Sequence, residues 1–188
     1  MPTTELNFKS TNQTWTLKAE DAGYTGYPNS GQFSIYNGAN KLWGLNESGW
    51  IQNPTVILFS SYGNSGGTSF NSATVVPYNQ IVDNVGGHYD PTTYTFTAPI
   101  DGKYFFSASF LEYPSASTGF VTFWCSKNGA GYNSSYPMSR GTLTSQQTLG
   151  WHGHVSLSAG DYIQAKIEGT GTYYTSGGHA HFSGHLIG

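Results

Sequence analysis

The sequence predicts an all-β protein: a β-sandwich of short strands preceded by a smaller β module. Three observations predict it. Charged residues are only 9% of the chain while aromatics reach 16%, with 14 Tyr and 25 Gly. Tyr, Phe, Thr and Val fit a pleated surface, and Gly, Asn and Ser make tight turns, so the composition favours strands over helices. Short runs of alternating apolar and polar residues recur between Gly-, Asn- and Pro-rich turns. No stretch sustains a 3.6-residue apolar period.

Residues 1–55 form the first expected module. Trp15–Leu17, Gln32–Tyr36 and Lys41–Leu45 are alternating runs separated by the turn-rich pieces Asp21–Gly31, Asn37-Gly38 and Asn46–Gly49. Asn37-Gly38-Ala39-Asn40 between two such runs predicts a hairpin. Gly49-Trp50-Ile51-Gln52-Asn53-Pro54 closes the segment, with Pro54 as a boundary. Strands this short need three or more neighbours and a covered face, so residues 1–55 are expected to require a partner surface. Their texture is similar to the short β modules that precede receptor-binding heads in bacteriophage fibres and spikes; a hairpin decorating the next domain is the equal alternative.

Residues 56–188 read as one domain. Strands are predicted at Thr55–Tyr62, Ser69–Val76, Gln80–Val85, Tyr94–Thr97, Gly102–Glu112, Gly119–Lys127, Leu149–Leu157, Asp161–Glu168 and Ala180–Ile187, with Gly63–Gly67 as a loop. About seven to nine strands at this spacing mean a sandwich or jelly roll. In the run after Gly102, Tyr104, Phe106, Ala108 and Phe110 share one face and Phe105, Ser107, Ser109 and Leu111 the other. Bulky groups on both faces predict a strand covered on both sides.

Six motifs in order resemble the C1q-like domain, the jelly roll shared with the tumour necrosis factor superfamily. They are Tyr78–Asn84, the turn Gly86–Asp90, Tyr94–Pro99 with Asp101–Phe106, the turn Lys127–Gly129, Leu157–Asp161, and the closing Phe182–Ile187. The resemblance spans residues 56–188 and implies a homotrimer. Exposed aromatic excess points the same way, because large apolar patches mark interfaces. Tyr104, Phe106, Phe110 and Phe182 are the expected trimer-interface residues.

The function classes narrow accordingly. A net charge of -3 gives no basic patch, so nucleic acid is not an expected partner. The single Cys125 cannot form an intrachain disulfide and sits in the apolar run Phe120–Cys125, which predicts a buried, inert thiol. The N-terminal residues lack a basic start and apolar core, so no secretory signal is expected, and no apolar run is long enough to span a membrane. Nucleophile elbow, paired carboxylates and phosphate loop are all missing from the sequence, which predicts a non-enzyme without cofactor.

Candidate sites remain. His152-Gly153-His154 and His179-Ala180-His181 with His185 have a spacing usable for a metal on a strand, and one such His would become three around a threefold axis. Polar cross-strand pairing or a solvated face is the favoured alternative. Some C1q-like domains hold calcium near the trimer apex; Asp83, Asp90 and Asp101 are the carboxylates concerned, without the dense acidic loop calcium requires. Tyr113–Gly119, Gly131–Arg140 and Gly169–Gly178 read as Tyr-, Asn-, Ser- and Gly-rich binding loops, with Tyr132, Tyr136, Tyr173 and Tyr174 the candidates for stacking on a glycan; a packing role is set against it. The expected function is a phage virion protein, a trimeric fibre or spike head that binds a host surface glycan or receptor and joins other virion proteins through residues 1–55. A capsid decoration (cement) protein of the same fold and a bacterial C1q-like lectin or adhesin are the alternatives.

Overall fold

The computed structural model describes residues 4–9, 14–21, 31–37, 40–45, 51–52, 56–64, 66–70, 73–113, 121–132, 138–140 and 145–188. The chain divides into two compact units, Met1–Val56 and Ile57–Gly188.

The first unit is an antiparallel meander of β1 (Thr4–Lys9), β2 (Thr14–Asp21), β3 (Gly31–Asn37), β4 (Asn40–Leu45) and β5 (Ile51–Gln52), each strand paired to the next in sequence. The expected hairpin joins β3 to β4 through the register Asn37↔Asn40; Gly38-Ala39 at its tip lie outside the described residues. Sequence reading missed β1, whose Leu6 pairs with Leu17. Leu17 pairs with Ile35 and Ile35 with Trp43, so one rung across four strands is wholly apolar. Leu6 and Trp15 stay largely exposed.

The second unit contains β6 (Leu58–Tyr62), β7 (Gly66–Phe70), β8 (Thr74–Val75), β9 (Gln80–Val85), β10 (Tyr89–Asp90), β11 (Thr95–Thr97), β12 (Gly102–Tyr113), β13 (Val121–Lys127), β14 (Ala130–Gly131), β15 (Met138–Arg140), β16 (Gln147–Leu157), β17 (Tyr162–Gly169), β18 (Gly171–Tyr174) and β19 (His181–Leu186). They form two antiparallel sheets. One runs β10-β11-β17-β13-β14, with β8 on β17 and β15 on β13; the other runs β7-β18-β12-β19-β6-β9, with β16 on the free side of β12. Neighbours in space are mostly distant in sequence, as a jelly roll requires. The predicted strand Ser69–Val76 is in fact two strands, β7 and β8, in different sheets. The expected loop Gly169–Gly178 contains the strand β18.

Turn chemistry explains the sharpest reversal. Asn128 and Gly129 both take positive φ (51° and 84°) between β13 and β14, the backbone a two-residue hairpin needs and that Asn-Gly tolerates best. The Asn128 side chain then donates to Asp161 Oδ1 at 2.7 Å, and its oxygen accepts from the Tyr162 N–H at 2.8 Å, tying this turn to the one before β17.

The core lies between the two sheets. From the β12 sheet come Tyr104, Phe106, Phe110, Tyr173, Phe59 and Phe182, and from the β17 sheet Phe96, Val121, Phe123, Ile163 and Ile167, all at most 2% exposed. At its centre Phe59 stacks on Tyr89 (centroids 4.6 Å, 2° between planes) and meets Phe182 edge-on at 4.9 Å. Phe110 meets Phe123 edge-on at 4.9 Å, joining one sheet to the other. The buried phenols are satisfied: Tyr89 donates to the Tyr78 carbonyl at 2.7 Å and Tyr78 to the Ser109 carbonyl at 2.9 Å. Loss of hydration pushes both phenol pKa values up, so both stay protonated donors.

Gly184 shows why the closing motif Phe182-Ser183-Gly184 has its form. It is buried between Phe106 and Phe59, its register partners on either side. A Cβ there would stand 2.8 Å from the Phe59 ring and closer still to Phe106. The missing side chain lets the two rings approach over the strand.

Cys125 is 1% exposed on β13, and burial pushes its thiol up to about 12. A thiol with neither thiolate nor access does not react. The native protein is therefore expected to resist a disulfide reagent at pH 8 and to titrate one thiol in denaturant; fast native labelling would contradict this placement.

Candidate functional site

The alternation of β12 sends its two sets of side chains to different places. Tyr104, Phe106 and Phe110, with Phe182 of β19, are 0% exposed inside the chain's own sandwich. They have no surface to offer a second subunit, which corrects the expectation that they form a trimer interface. The opposite set, Phe105, Ser107, Ser109 and Leu111, lines the outer face of the sheet, half-exposed.

The register lays that face out in rows. Phe105 stands between His154 of β16 and His185 of β19, with ring centroids 5.4 and 5.6 Å away. Leu58 of β6 continues the row, opposite His185. Ser107 stands between His152 and Ser183, with Ser60 and then Asp83 of β9 beyond. Ser109 stands between Gly150 and His181, and Leu111 between Thr148 and Tyr174. The His181 ring nitrogens share hydrogen bonds with the Ser107 and Ser109 hydroxyls at 2.9 and 2.8 Å. Loss of hydration lowers its pKa from the ordinary histidine range. The face thus combines the Phe105 ring, small hydroxyls and four histidines, with Tyr113 and Tyr174 at one end. Lys103 and Asp83 are its charged residues of other types, at opposite margins.

The histidines do not make a metal centre within one chain: among the described residues no group of three or more His, Cys, Asp or Glu side chains could hold an ion. The three candidate calcium carboxylates are used separately. Asp90 accepts from the Thr92 N–H and hydroxyl (2.8 and 2.6 Å) and from the Thr93 hydroxyl (2.9 Å), which hold its carboxyl down at about 2. Asp101 accepts from the Ala159 N–H at 2.7 Å, and Asp83 lies exposed on β9. A fourth carboxylate, Asp161, is bonded by Lys127, Asn128 and the Ser158 N–H, which lower its pKa well below the usual range.

The three described tyrosines among those expected to bind ligand, Tyr132, Tyr173 and Tyr174, do not face one site. Tyr173 is in the core, 2% exposed, against Phe70 and Phe110. Tyr132 follows β14 in the other sheet and packs partly buried against the core. Tyr174 is half-exposed and packs on Tyr113 with centroids 5.6 Å apart. Tyr136 lies outside the described residues. Among the described residues the tyrosine pair that reaches the surface is Tyr113–Tyr174; Tyr113, the last residue of β12, opens an expected binding loop but was not among the expected stacking residues.

These features define a class, a jelly-roll domain whose larger sheet presents an aromatic, nearly uncharged outer face. The C1q domain family matches residues 59–187, more than half of the chain, and the chain belongs to that family. Among solved structures, the chain resembles the globular domain of zebrafish complement 1qA protein at 16% identity, covering 71% of this chain and 98% of that one with a TM-score of 0.53. The Eiger tumour necrosis factor from S. frugiperda matches at 9% identity, covering 71% and 94%, with a TM-score of 0.53. Murine APRIL matches at 16% identity, covering 70% and 99%, with a TM-score of 0.55. At these identities the likeness concerns the fold. Curated protein sequences give no match. Domains of this superfamily commonly form trimers, bind ligands or receptors, and are generally non-enzymatic. Among the described residues no helix is long and apolar enough to cross a membrane.

Proposed function

We propose that this chain is the subunit of a non-enzymatic homotrimer whose C1q head recognises a ligand, while residues 1–55 attach it to a larger assembly. One observation carries the reading: the outer face around Phe105 belongs to the larger sheet of a C1q domain and is aromatic, small and almost free of charge. Such a surface suits burial against identical copies, because charge is depleted in interface cores. Residues 1–55 contribute the apolar rung Leu6–Leu17–Ile35–Trp43, which suits docking to other protein rather than to water.

The finer reading is a virion head, a phage fibre or spike tip, that binds a host surface glycan through the Tyr113–Tyr174 pair. Paired tyrosines offer flat apolar faces beside hydroxyls, the surface a sugar ring uses. Two measurements test the levels separately. Light scattering of the whole chain is expected to return the mass of three chains; a stable monomer overturns the trimer. A glycan array probed with that trimer is expected to show a signal that Tyr174→Ala lowers at least about tenfold, the loss of one stacked aromatic contact. A blank array counts against glycan recognition and favours particle decoration.

A further inference from the structure

We propose that the histidine-bearing outer face makes assembly of the copies acid-labile, so that the trimer holds at neutral pH and separates near pH 5. The inference rests on reading that face as the copy–copy interface. It follows from what surrounds each imidazole. His154 and His185 flank Phe105 from either side, His152 faces Ser107, and His181 is bonded to the hydroxyls of Ser107 and Ser109. All four are exposed in the single chain.

No register position beside these histidines carries a carboxylate. Their cross-strand partners are Phe105, Ser107, Ser109 and Leu58. The other titratable groups of the sheet stand apart. Asp83 of β9 is separated from His152 by Ser60, Ser183 and Ser107. Lys103 of β12 lies opposite Ser156, whose carbonyl accepts from Lys127. Tyr113 and Tyr174 occupy the far end, Tyr62 ends β6, and His179 is exposed on the single 3-10 turn Gly177–His179. Glu112 points into the core, fully buried. Lys127 is paired with Asp161, so Lys103 is the cation of the face that adds to any positive charge the histidines acquire.

The sign follows directly. An imidazole desolvated without an anionic partner is held neutral, so its pKa in the assembly falls below that in the free chain. Such a group supports assembly at neutral pH and withdraws that support as pH falls through the titration of the free imidazole. A fully desolvated imidazole of ordinary free basicity weakens association about thirtyfold per chain between pH 7.5 and 5.0. Carboxylates with ordinary values remain mostly ionised there.

The test is sedimentation equilibrium of the whole chain at pH 7.5 and 5.0, in buffer with EDTA to prevent bridging by stray metal. The expected result is a trimer at pH 7.5 whose dissociation midpoint rises at least about thirtyfold at pH 5.0, the share of one imidazole per chain, with the strand signal in circular dichroism intact. The combined variant His152→Gln, His154→Gln, His181→Gln, His185→Gln is expected to show one midpoint at both pH values. The double variant His154→Gln, His185→Gln, which spares the His181 hydrogen bonds, is expected to reduce the pH dependence by about half, two of four groups being removed. A monomer at pH 7.5 overturns the trimer and this inference together. A trimer with the same midpoint at both pH values overturns the inference alone, as does dissociation that persists in the glutamine variants or accompanies loss of strand signal.

Discussion

Replacing Phe59 by alanine is expected to remove about 3–5 kcal/mol from the stability of the C1q head, enough to leave it marginal or unfolded. Its ring meets four other aromatic rings of the core. Phe59 stacks on Tyr89, lies within 5.2 Å of Phe96 and 4.9 Å of Phe182, and closes over Gly184 towards Phe106 at 6.3 Å, centroid to centroid. Its neighbours come from both sheets and from four different strands, so they cannot collapse together into the space without breaking their own pairings. The loss is therefore a cavity lined by rings, at the upper end of the large-to-small range. Phe59→Leu, which keeps most of the volume, is expected to cost about half as much. Urea unfolding followed by tyrosine and tryptophan fluorescence measures both. The control is Phe105→Ala on the outer face, expected below about 1 kcal/mol in the dissociated chain because that ring is already half in water. If Phe59→Ala and Phe105→Ala cost the same, the division of β12 into an inner and an outer face is wrong.

That division marks how far the sequence could be read. Strand period and turn positions were legible because alternation and Asn-Gly, Pro and Gly-Asp punctuation are local properties. Gln80–Val85 was placed to the residue, and the long run from Gly102 to within one residue of its end. Which face of that run turns inward was a different question, since aromatic residues stand on both. The deciding information lay in its neighbours. β16 brings Leu149, Trp151 and Val155 to the side of Phe110, Ala108 and Tyr104, while β19 brings Phe182 beside Ala108; the histidines fall on the other parity. Only the register connects those segments, and register is not a local property of the chain. The same reason explains β18. Gly171–Tyr174 is short and glycine-flanked, so it read as a loop, and Tyr173 as a binding residue. Pairing with Glu112 instead turns Tyr173 into the core and leaves Tyr174 outside. The binding tyrosines were thus misread where a two-residue period was too short to show itself.

Phe105→Arg is expected to abolish assembly while leaving the single chain folded. Phe105 is the largest apolar side chain in the row His154–Phe105–His185–Leu58, and its ring lies on the outer face. In a free chain an arginine there extends into water and keeps its stem on the flanking imidazoles, at little cost. In an assembly that closes over this face, each copy brings one guanidinium into a row without a carboxylate, between His154 and His185. An unpaired charge transferred out of water is among the most expensive changes an interface can suffer. Association is expected to weaken at least about a hundredfold, the equivalent of about 2.7 kcal/mol, and more steeply at low salt, where repulsion between copies is least screened. Light scattering reads the mass, and circular dichroism with urea unfolding reads the fold of the separated chain. The inverse substitution on the same strand separates interface from core. Phe106→Arg places the charge inside the sandwich, between Phe59, Phe96 and Phe182, and is expected to prevent folding altogether. A folded trimer that tolerates Phe105→Arg would mean that the copies meet elsewhere, and would leave the outer face of β12 free for another partner.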